Sequence, residues 1–207
     1  ILSHLDEDHA GSLKELMDSE IQVKKVILPA GLDENEACGT VLDGLNAARK
    51  AGAEIIKTSA GEQLEVLGIQ VLAPGEWKKK DDNDYSLVLY AEIEGAAFLL
   101  TGDSPTSSEK YDMPTCDILK VAHHGSQYAT SDAFIQQAQP RIAIISVGLN
   151  SYGHPAQRVL DTLEKNGTTV IRTDESGCIT LWLGKRKMAL QAYHAPSLKP
   201  ILLAYTR

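Results

Sequence analysis

The start of the chain carries a dense group of side chains that can bind metals. His4, Asp6, Asp8 and His9 fall within six positions, in the spacing His-x-Asp-x-Asp-His. Carboxylates and imidazoles together suit a divalent cation, and four such groups are costly to bury without one. The alternative is a polar loop in which Asp8 or Ser12 caps the following helix. We favour a metal site, because four such residues lie together.

Asp103 is a second candidate ligand. It follows an apolar run at residues 96–100 and the short string Thr101-Gly102. Gly102 would allow the backbone to approach closely, because it has no side chain. A carboxylate in that place is suited to lie between two cations.

Two adjacent histidines, His123 and His124, follow a strand predicted at residues 117–122. One of them can face a metal while the other faces the substrate or a carboxylate. A pair of solvated loop histidines is the alternative. A further histidine, His154, lies in the glycine-rich loop at residues 148–155.

The most polar stretch of the chain is residues 77–84, which contains Lys79 between two other lysines. A solvated loop is the ordinary interpretation of such a run. The alternative is a loop beside the substrate in which these lysines contact phosphates. We retain Lys79 as a candidate substrate-binding residue.

Length and charge limit the function. The 207 residues suffice for one layered domain, which we predict to span residues 1–207, and the net charge of −8 argues against a generally basic surface for nucleic acid. Two bound divalent cations would add +4, bring −8 to −4 and concentrate positive charge at one place. The three cysteines lie far apart, which excludes a disulfide framework or a zinc ribbon. The chain begins without Met, so we expect a part of a larger protein that is excised or truncated at its N-terminus.

Strands that alternate with helices, followed by antiparallel strands, predict layered α/β packing. Helical spacing of apolar residues predicts helices at residues 11–18, 40–50, 131–138 and 156–165. Apolar or alternating runs predict strands at residues 24–28, 53–57, 63–67, 69–73, 85–93, 96–100, 117–122, 142–147, 168–172, 178–183 and 187–193. We group the last three as antiparallel strands, with a turn at residues 174–177, and leave residues 196–207 unassigned.

Several strings together resemble the metallo-β-lactamase fold. They are His4-x-Asp6-x-Asp8-His9 with Gly11, Thr101-Gly102-Asp103 and His123-His124-Gly125-Ser126. With three further strings the chain is similar, more narrowly, to the metallo-hydrolase domain of ComEC-type competence proteins, the membrane channels of natural DNA uptake. Those strings are Ser86-Leu87-Val88-Leu89, Asn150-Ser151-Tyr152-Gly153-His154-Pro155 and Arg172-Thr173-Asp174. The similarity runs from about residue 1 to residue 183.

The resemblance implies a four-layer αββα sandwich with two divalent metal ions at one edge of its sheets. By the family pattern His4 and Asp6 serve one ion, Asp8 and His9 serve the other, and Asp103 bridges them. We add His124 as a ligand. Asp6 stands where the broader fold usually has a histidine, and this extra carboxylate shifts the expected metal from Zn²⁺ toward Mn²⁺, with Zn²⁺ retained as the alternative.

The chain departs from the family pattern in other places too, among them Ser12, which replaces a second Gly common after the opening motif. The broader fold usually carries a histidine ligand before the bridging aspartate, and none lies between His9 and Asp103; Asn83 or Ser86 would stand there instead. One metal would then bind weakly or be completed by water. The family also has strands before the opening motif, so either they lie outside this numbering or the first sheet is incomplete.

The implied function is a metal-dependent phosphodiesterase or nuclease that degrades DNA, and specifically the non-transported strand during natural transformation. Asp8 would orient or deprotonate the attacking water. We assign His123 and His154 to catalysis as well, although the sequence leaves open which of His123, His124 and His154 protonates the leaving oxygen or binds phosphate. Ser126 and Asn150 join Lys79 as candidate substrate-binding residues.

The same resemblance implies the surroundings of the domain. Its partners would be DNA and the membrane-channel portion of the same protein, on the extracytoplasmic face of a bacterial cytoplasmic membrane, with no small-molecule organic cofactor. Two other functions stay open: a metal-poor module that guides DNA to the channel, and a hydrolase of small esters or phosphodiesters. The net acidity and the small number of aromatic residues for base stacking, with two Phe and two Trp, motivate the latter.

Overall fold

A computed structural model describes residues 1–65, 68–74, 82–110, 112–184, 187–193 and 201–204. The helices in this part of the chain are α1 (Glu7–Ala10), α2 (Leu13–Asp18), α3 (Gly39–Lys50), α4 (Asp132–Ala138), α5 (Gln157–Lys165) and α6 (Thr173–Ser176). The strands are β1 (Lys25–Pro29), β2 (Glu54–Thr58), β3 (Gln70–Ala73), β4 (Val88–Ile93), β5 (Ala96–Leu100), β6 (Ile118–Lys120), β7 (Ile142–Ile145), β8 (Thr169–Arg172), β9 (Ile179–Gly184), β10 (Lys187–Ala192) and β11 (Ile201–Ala204). Short 3-10 helices lie at Glu34–Glu36, Asp82–Tyr85, Thr106–Lys110 and Ala122–Gly125.

A six-stranded sheet with the order β3-β4-β5-β6-β7-β8 forms the largest layer. The pairs β3–β4 and β4–β5 are antiparallel, and the three pairs from β5 to β8 are parallel. The parallel strands are short and apolar because both of their faces are covered. One face packs against α4 and α5, where Leu119 and Ile145 of the sheet meet Phe134 and Leu163 of the helices.

The other face of this sheet is covered by two smaller sheets. The parallel pair β1–β2 packs over β3 and β4, with Ile27 among Val71 and Leu89. The antiparallel sheet β11-β10-β9 packs over β5 to β8, with Met188 against Ile118. These small sheets together make the second β layer, in two pieces that share no strand pairing among the described residues.

Helices close the second β layer from outside. Val26 and Leu28 of β1 point away from Ile27 and pack against Leu13 of α2 and Leu45 of α3. The layer order is therefore helix, sheet, sheet, helix. The α/β class and the αββα sandwich predicted from the sequence are confirmed.

Two predictions about strands are wrong. Residues 63–65 form only a single bridge, between Gln63 and Gln70, where we predicted a strand at 63–67; residues 66 and 67 lie outside the described part. The strand near residues 168–172 is not antiparallel: β8 pairs in parallel with β7, because helix α5 between them returns the chain to the end of the sheet at which β7 begins. The turn predicted at residues 174–177 is largely the one-turn helix α6.

The parallel arrangement decides where the site lies. Strands β5, β6 and β7 run in the same direction, so the segments after them emerge at the same edge of the sheet. Asp103 follows β5 and the paired histidines follow β6. The first loop, at residues 1–6, lies at the same edge. The backbone N–H of Leu87 donates a hydrogen bond to Ser3 O (2.9 Å), and the backbone N–H of Leu2 donates one to Ile27 O (2.9 Å). Within the described residues, no helix is both long and apolar enough to cross a bilayer.

Candidate metal centre

Helix α1 is a single turn that carries two of the candidate ligands, Asp8 and His9. Asp6 precedes it in an extended conformation, and its carbonyl accepts hydrogen bonds from the N–H of His9 (3.0 Å) and of Ala10 (2.9 Å). The capping alternative is not observed, because Ser12 makes no side-chain cap hydrogen bond and the Asp8 carboxylate faces His124. The side chains of Asp8 and His9 are therefore free to face the end of the sheet.

Four ligand atoms meet at that edge. Asp8, His9, Asp103 and His124 form a group in which each offers one N or O atom and all of these atoms lie within 4.8 Å of one another. Asp8 Oδ2 is 3.0 Å and Asp103 Oδ2 is 3.4 Å from His124 Nε2. Asp103 Oδ1 lies 3.0 Å from His9 Nε2, and the two imidazole Nε2 atoms are 3.3 Å apart. Three segments that are far apart in the chain thus supply one cluster.

His4 and Asp6 form a separate pair beside this cluster. His4 Nε2 lies 3.5 Å from Asp6 Oδ2, and the rings of His4 and His9 are 4.3 Å apart. Within the described residues the pair is not part of any group of three or more ligands that meets the same distance limit. The pair with His4 and Asp6 therefore has fewer members than the cluster, and the assignment of the two sets to two ions stays a prediction.

Two serines, Ser3 and Ser86, contact the Nδ1 atoms of His4 and His9. Ser3 Oγ lies 3.1 Å from Nδ1 of both His4 and His9. Ser86 Oγ lies 3.3 Å from His4 Nδ1 and accepts a hydrogen bond from the N–H of Asp103 (3.1 Å). Because Nδ1 is engaged on the far side, Nε2 of each ring is the atom left for a metal.

Gly102 makes this arrangement possible at the end of β5. It has φ +52°, and a Cβ atom there would lie 3.0 Å from the Cβ atoms of both Ser3 and Ser86. A side chain at this position would therefore separate the first loop from the loop before β4. The glycine that we selected for close backbone approach has that role.

The turn after β6 has an uncommon backbone. His123 (φ 49°) and His124 (φ 53°) both adopt the left-handed region, and Gly125 follows with φ 82°. Such residues typically cost about 1–3 kcal/mol each and persist where the surroundings hold them. Here the N–H of His123 donates to Gly102 O (3.1 Å), and His124 Nδ1 is 2.7 Å from Ser146 O.

The electrostatics favour an anionic Asp103. Burial acts to raise the pKa of its carboxyl, but hydrogen bonds from His124 and His9 outweigh burial and hold that pKa well below its usual range. The same contact with Asp103 raises the pKa of His124. Burial, with His9 nearby, lowers the pKa of His4 to about 4, so His4 is neutral at pH 7 and able to act as a ligand. Burial, with Asp82 and Asp8 nearby, raises the pKa of Asp6.

The donor set fits a divalent metal. His4 Nε2 is buried and has no hydrogen-bond partner, and Asp103 Oδ1, also buried, lies 3.0 Å from His9 Nε2. A buried polar atom without a partner is destabilising, and a cation facing His4 Nε2 would remove that cost. The mixture of imidazole and carboxylate suits Zn²⁺ or Mn²⁺ and does not decide between them.

The other predicted site residues lie around the mouth of the cluster or away from it. His123 Nε2 is 3.8 Å from Asp103 Oδ2, and its ring is 5.6 Å from that of His154. These two histidines, with Asp6, Asp8 and Tyr152, line a cavity of about 550 Å³ over the cluster. Burial, with His123 and His124 nearby, lowers the pKa of His154.

Two predicted substrate-binding residues are committed to the protein itself. Ser126 is buried, and its Oγ accepts a hydrogen bond from the N–H of Tyr128 (3.3 Å). Asn150 Nδ2 donates to Gly148 O and His154 O, while its Oδ1 accepts from the N–H groups of Tyr152 and His154. Both therefore shape loops, and their assignment to substrate binding stays a prediction. Lys79 lies outside the described residues.

Sequence reasoning missed Ser3 as a residue that orients two histidines. It named Ser86 only as a substitute for a ligand, whereas Ser86 Oγ faces Nδ1 of His4, away from the cluster. Nothing local marks either serine, since their roles depend on which segments meet. Tyr152 was also missed, although a tyrosine between Asn150 and His154 in a glycine-rich loop is a visible signal.

The chain is similar to three curated competence or recombination proteins. It is 38% identical over 187 residues to ComE operon protein 3 of Bacillus subtilis, covering 86% of this chain and 24% of that protein. It is 31% identical over 194 residues to competence protein ComA of Neisseria gonorrhoeae, covering 89% and 25%. It is 29% identical over 199 residues to recombination protein 2 of Haemophilus influenzae, covering 92% and 23%. The chain spans about a quarter of the length of these relatives.

Among solved structures, a protein from Parabacteroides distasonis described as a metal-dependent hydrolase aligns with a TM-score of 0.44 and 13% identity, over 73% of this chain and 77% of that one. No profile of a known protein family matches the chain.

Proposed function

The chain belongs to the ComEC family of competence proteins, and from this premise we propose that it is a metal-dependent phosphodiesterase that cleaves DNA. One observation carries the proposal: ligand atoms of Asp8, His9, Asp103 and His124, from three separate segments, lie within 4.8 Å of one another at an open edge of the sheet. Such a cluster suits hydrolysis of a phosphodiester better than simple binding of DNA, because the acidic chain offers little general attraction for phosphates.

In the proposed centre, Asp8, His9, Asp103 and His124 hold one cation, and His4 and Asp6, with Asp103, hold a second. When bound, the cations would activate a water and neutralise charge that develops on the phosphodiester. Asp8 is the most exposed member of the cluster, so its carboxylate is placed to orient the water and accept its proton.

The leaving oxygen needs a proton from another group. His124 belongs to the cluster, so His123 and His154 are the histidines available at its mouth, with rings 5.6 Å apart. We assign to this pair the task of holding a proton beside the leaving oxygen. The ring of His154 is set by the loop that Asn150 organises, since Asn150 bonds both the N–H and the C=O of His154.

In a longer parent protein the same activity would degrade the DNA strand that is not transported, with the membrane-channel portion as the partner of this domain. We place the domain on the extracytoplasmic face, where that strand is released. The names of the relatives support a role in competence, and these assignments extend the proposal from the site to the whole protein.

A labelled DNA assay tests the proposal. Single-stranded DNA is incubated with the chain after loading with Mn²⁺ or Zn²⁺, and cleavage is followed on a sequencing gel. Asp103→Asn should abolish cleavage, whereas Asp43→Asn, at an exposed position of α3, should leave it unchanged. Intact DNA with the folded, metal-loaded protein would contradict the proposal.

An acidic cavity favours a second candidate, a hydrolase of small phosphodiesters or esters. This cavity of about 370 Å³ lies on the α1 side of the cluster, and its lining includes Asp6, Glu7, Asp33, Glu36 and Asp82. Such a wall repels a polyanion more than a small substrate. A panel of bis-p-nitrophenyl phosphate, a thioester and a lactam separates the two: rapid turnover of one of these with DNA left intact would support the second candidate.

A further inference from the structure

A second cavity at the cluster, distinct from the acidic one, has an apolar and aromatic wall. The loop at residues 148–155 presents Leu149, which is fully exposed, and Tyr152, which is 81% exposed. They line a cavity of about 370 Å³ whose other side includes Asp8 and His124 of the cluster. A group bound in this cavity would therefore lie directly beside the reacting phosphate.

Tyr152 is presented as a flat surface. Its ring stacks on that of His154, with centroids 5.9 Å apart and an interplanar angle of 24°. The Asn150 side chain fixes the loop through four hydrogen bonds, one of them from the N–H of Tyr152. A large ring held open to solvent by a preorganised loop loses little conformational entropy when a ligand stacks on it.

We propose that Tyr152, with Leu149 beside it, forms a nucleobase subsite that stacks an unpaired base next to the scissile phosphodiester. The inference rests on the proposed DNA-cleaving function and deepens it, because it names single-stranded DNA as the substrate. A base within a duplex would first have to leave its stack, which disfavours double-stranded DNA.

The subsite recognises the face of a base and not its edge. Two polar side chains of its wall are already engaged, since Asn150 bonds within the loop and Thr173 Oγ1 both accepts from the N–H of Val147 and donates to Val147 O. Every base has a face that can stack, so binding is tolerant of sequence. Because the acidic cavity repels a polyanion, the cavity lined by Tyr152 is the favoured path for the strand.

Binding is tested first, apart from cleavage. A phosphorothioate oligothymidine that resists hydrolysis and carries one 2-aminopurine is titrated with Mn²⁺-loaded protein, because 2-aminopurine fluorescence falls when the base stacks. Tyr152→Ala should abolish the quenching and weaken binding about 5- to 150-fold. Tyr152→Phe should retain both. Tyr128→Ala is the matched control, since Tyr128 is 70% exposed and lies outside the lining of this cavity.

Cleavage is tested second, with a normal oligonucleotide and one in which the bases around the cut are abasic. In the wild type kcat/KM should be higher for the normal strand, and in Tyr152→Ala the ratio of the two values should approach one. A disturbance of His154 would slow both strands equally and leave the ratio unchanged, so the ratio isolates stacking.

The two experiments separate the two proposals. Quenching and binding that depend on Tyr152, with no cleavage of either strand, would support the subsite and overturn the DNA-cleaving function. Cleavage with quenching and affinity that are the same in Tyr152→Ala and the wild type would overturn the subsite and keep the function. Absence of any binding by the wild type would overturn the subsite as well.

Discussion

The two halves of the metal centre differ in how fully they are built. On one side Asp8, His9, Asp103 and His124 bring four ligand atoms within 4.8 Å of one another. On the other side His4 and Asp6 form a pair, with Nε2 and Oδ2 3.5 Å apart, and the histidine that the broader fold usually adds is absent from the sequence. More ligands bind a cation more tightly, so we expect one tightly and one weakly held ion.

The halves also differ in what lies around them. The half with four ligand atoms, called the full half, borders the cavity lined by Tyr152, whereas the half with His4 and Asp6, called the sparse half, borders through Asp6 the acidic cavity that includes Asp33 and Asp82. Asp8 lines both cavities. Carboxylates beside a weak site can raise the local concentration of cations without holding one. The weak ion would then exchange with solution, and activity would depend on the free metal concentration.

The largest effect is expected for Asp103→Asn, because Asp103 is the residue that both halves would share. Loss of an outer partner of a metal ligand typically costs about 10–100-fold in activity or affinity, and loss of the shared ligand should cost more than about 100-fold. DNA cleavage and metal content after gel filtration are the measurements. A variant that keeps both ions would show that Asp103 does not bridge.

Removing one ligand from each half in turn tests which half holds the tightly bound ion. His124→Ala should lose the tightly held ion, whereas Asp6→Ala should keep it and lose only the weakly held ion. The thermal unfolding temperature reports this, because an ion at 100 times its Kd stabilises the folded state by about 2.7 kcal/mol. Mn²⁺ should therefore raise the Tm of Asp6→Ala and not that of His124→Ala; equal shifts in the two variants would contradict the assignment of the tight site.

The sequence predicts which segments come together at the candidate site best where the relevant residues are adjacent in the chain. The Asp8-His9 and His123-His124 pairs and the Gly102-Asp103 pair are local strings, and their placement at one edge follows from parallel strands that end together. The hydrogen bonds by which Ser126 and Asn150 shape their loops were not predicted, because a hydroxyl or amide serves substrate or backbone according to which groups face it. The position of β8 was misjudged because short apolar strands carry no local mark of direction.

The third prediction concerns Gly125, which supports only the full half. A Cβ atom at Gly125 would lie 2.6 Å from Pro155 Cβ, and φ is +82°. Gly125→Ala combines backbone strain with overpacking and should lower the free energy of unfolding by about 2–4 kcal/mol. Gly95 is the matched control, because it has the same φ of +82° with no neighbour within 4 Å, and Gly95→Ala should cost about 1 kcal/mol.

Urea unfolding in the presence of a chelator measures both glycine variants without a contribution from metal. The difference between them isolates the contact with Pro155 from the backbone term that they share. If the two variants lose the same stability, the loop at residues 148–155 yields easily, and the position of His154 over the cluster is not fixed by that contact.

The smallest effect is expected for Ser86→Ala. This variant tests both halves at once, because Ser86 contacts a residue of each. Its Oγ lies 3.3 Å from His4 Nδ1 in the sparse half and accepts from the N–H of Asp103, the shared residue. Loss of such a partner should weaken metal affinity about tenfold. The affinity for the weakly held ion should fall more than that for the tightly held ion, because His4 loses one of the two serines that orient its ring. Mn²⁺ titration by calorimetry measures both affinities, with Ser12→Ala as the control because Ser12 makes no side-chain cap hydrogen bond. Should only the tight ion weaken, Ser86 would act through Asp103 alone, and His4 would have to be removed from the metal centre.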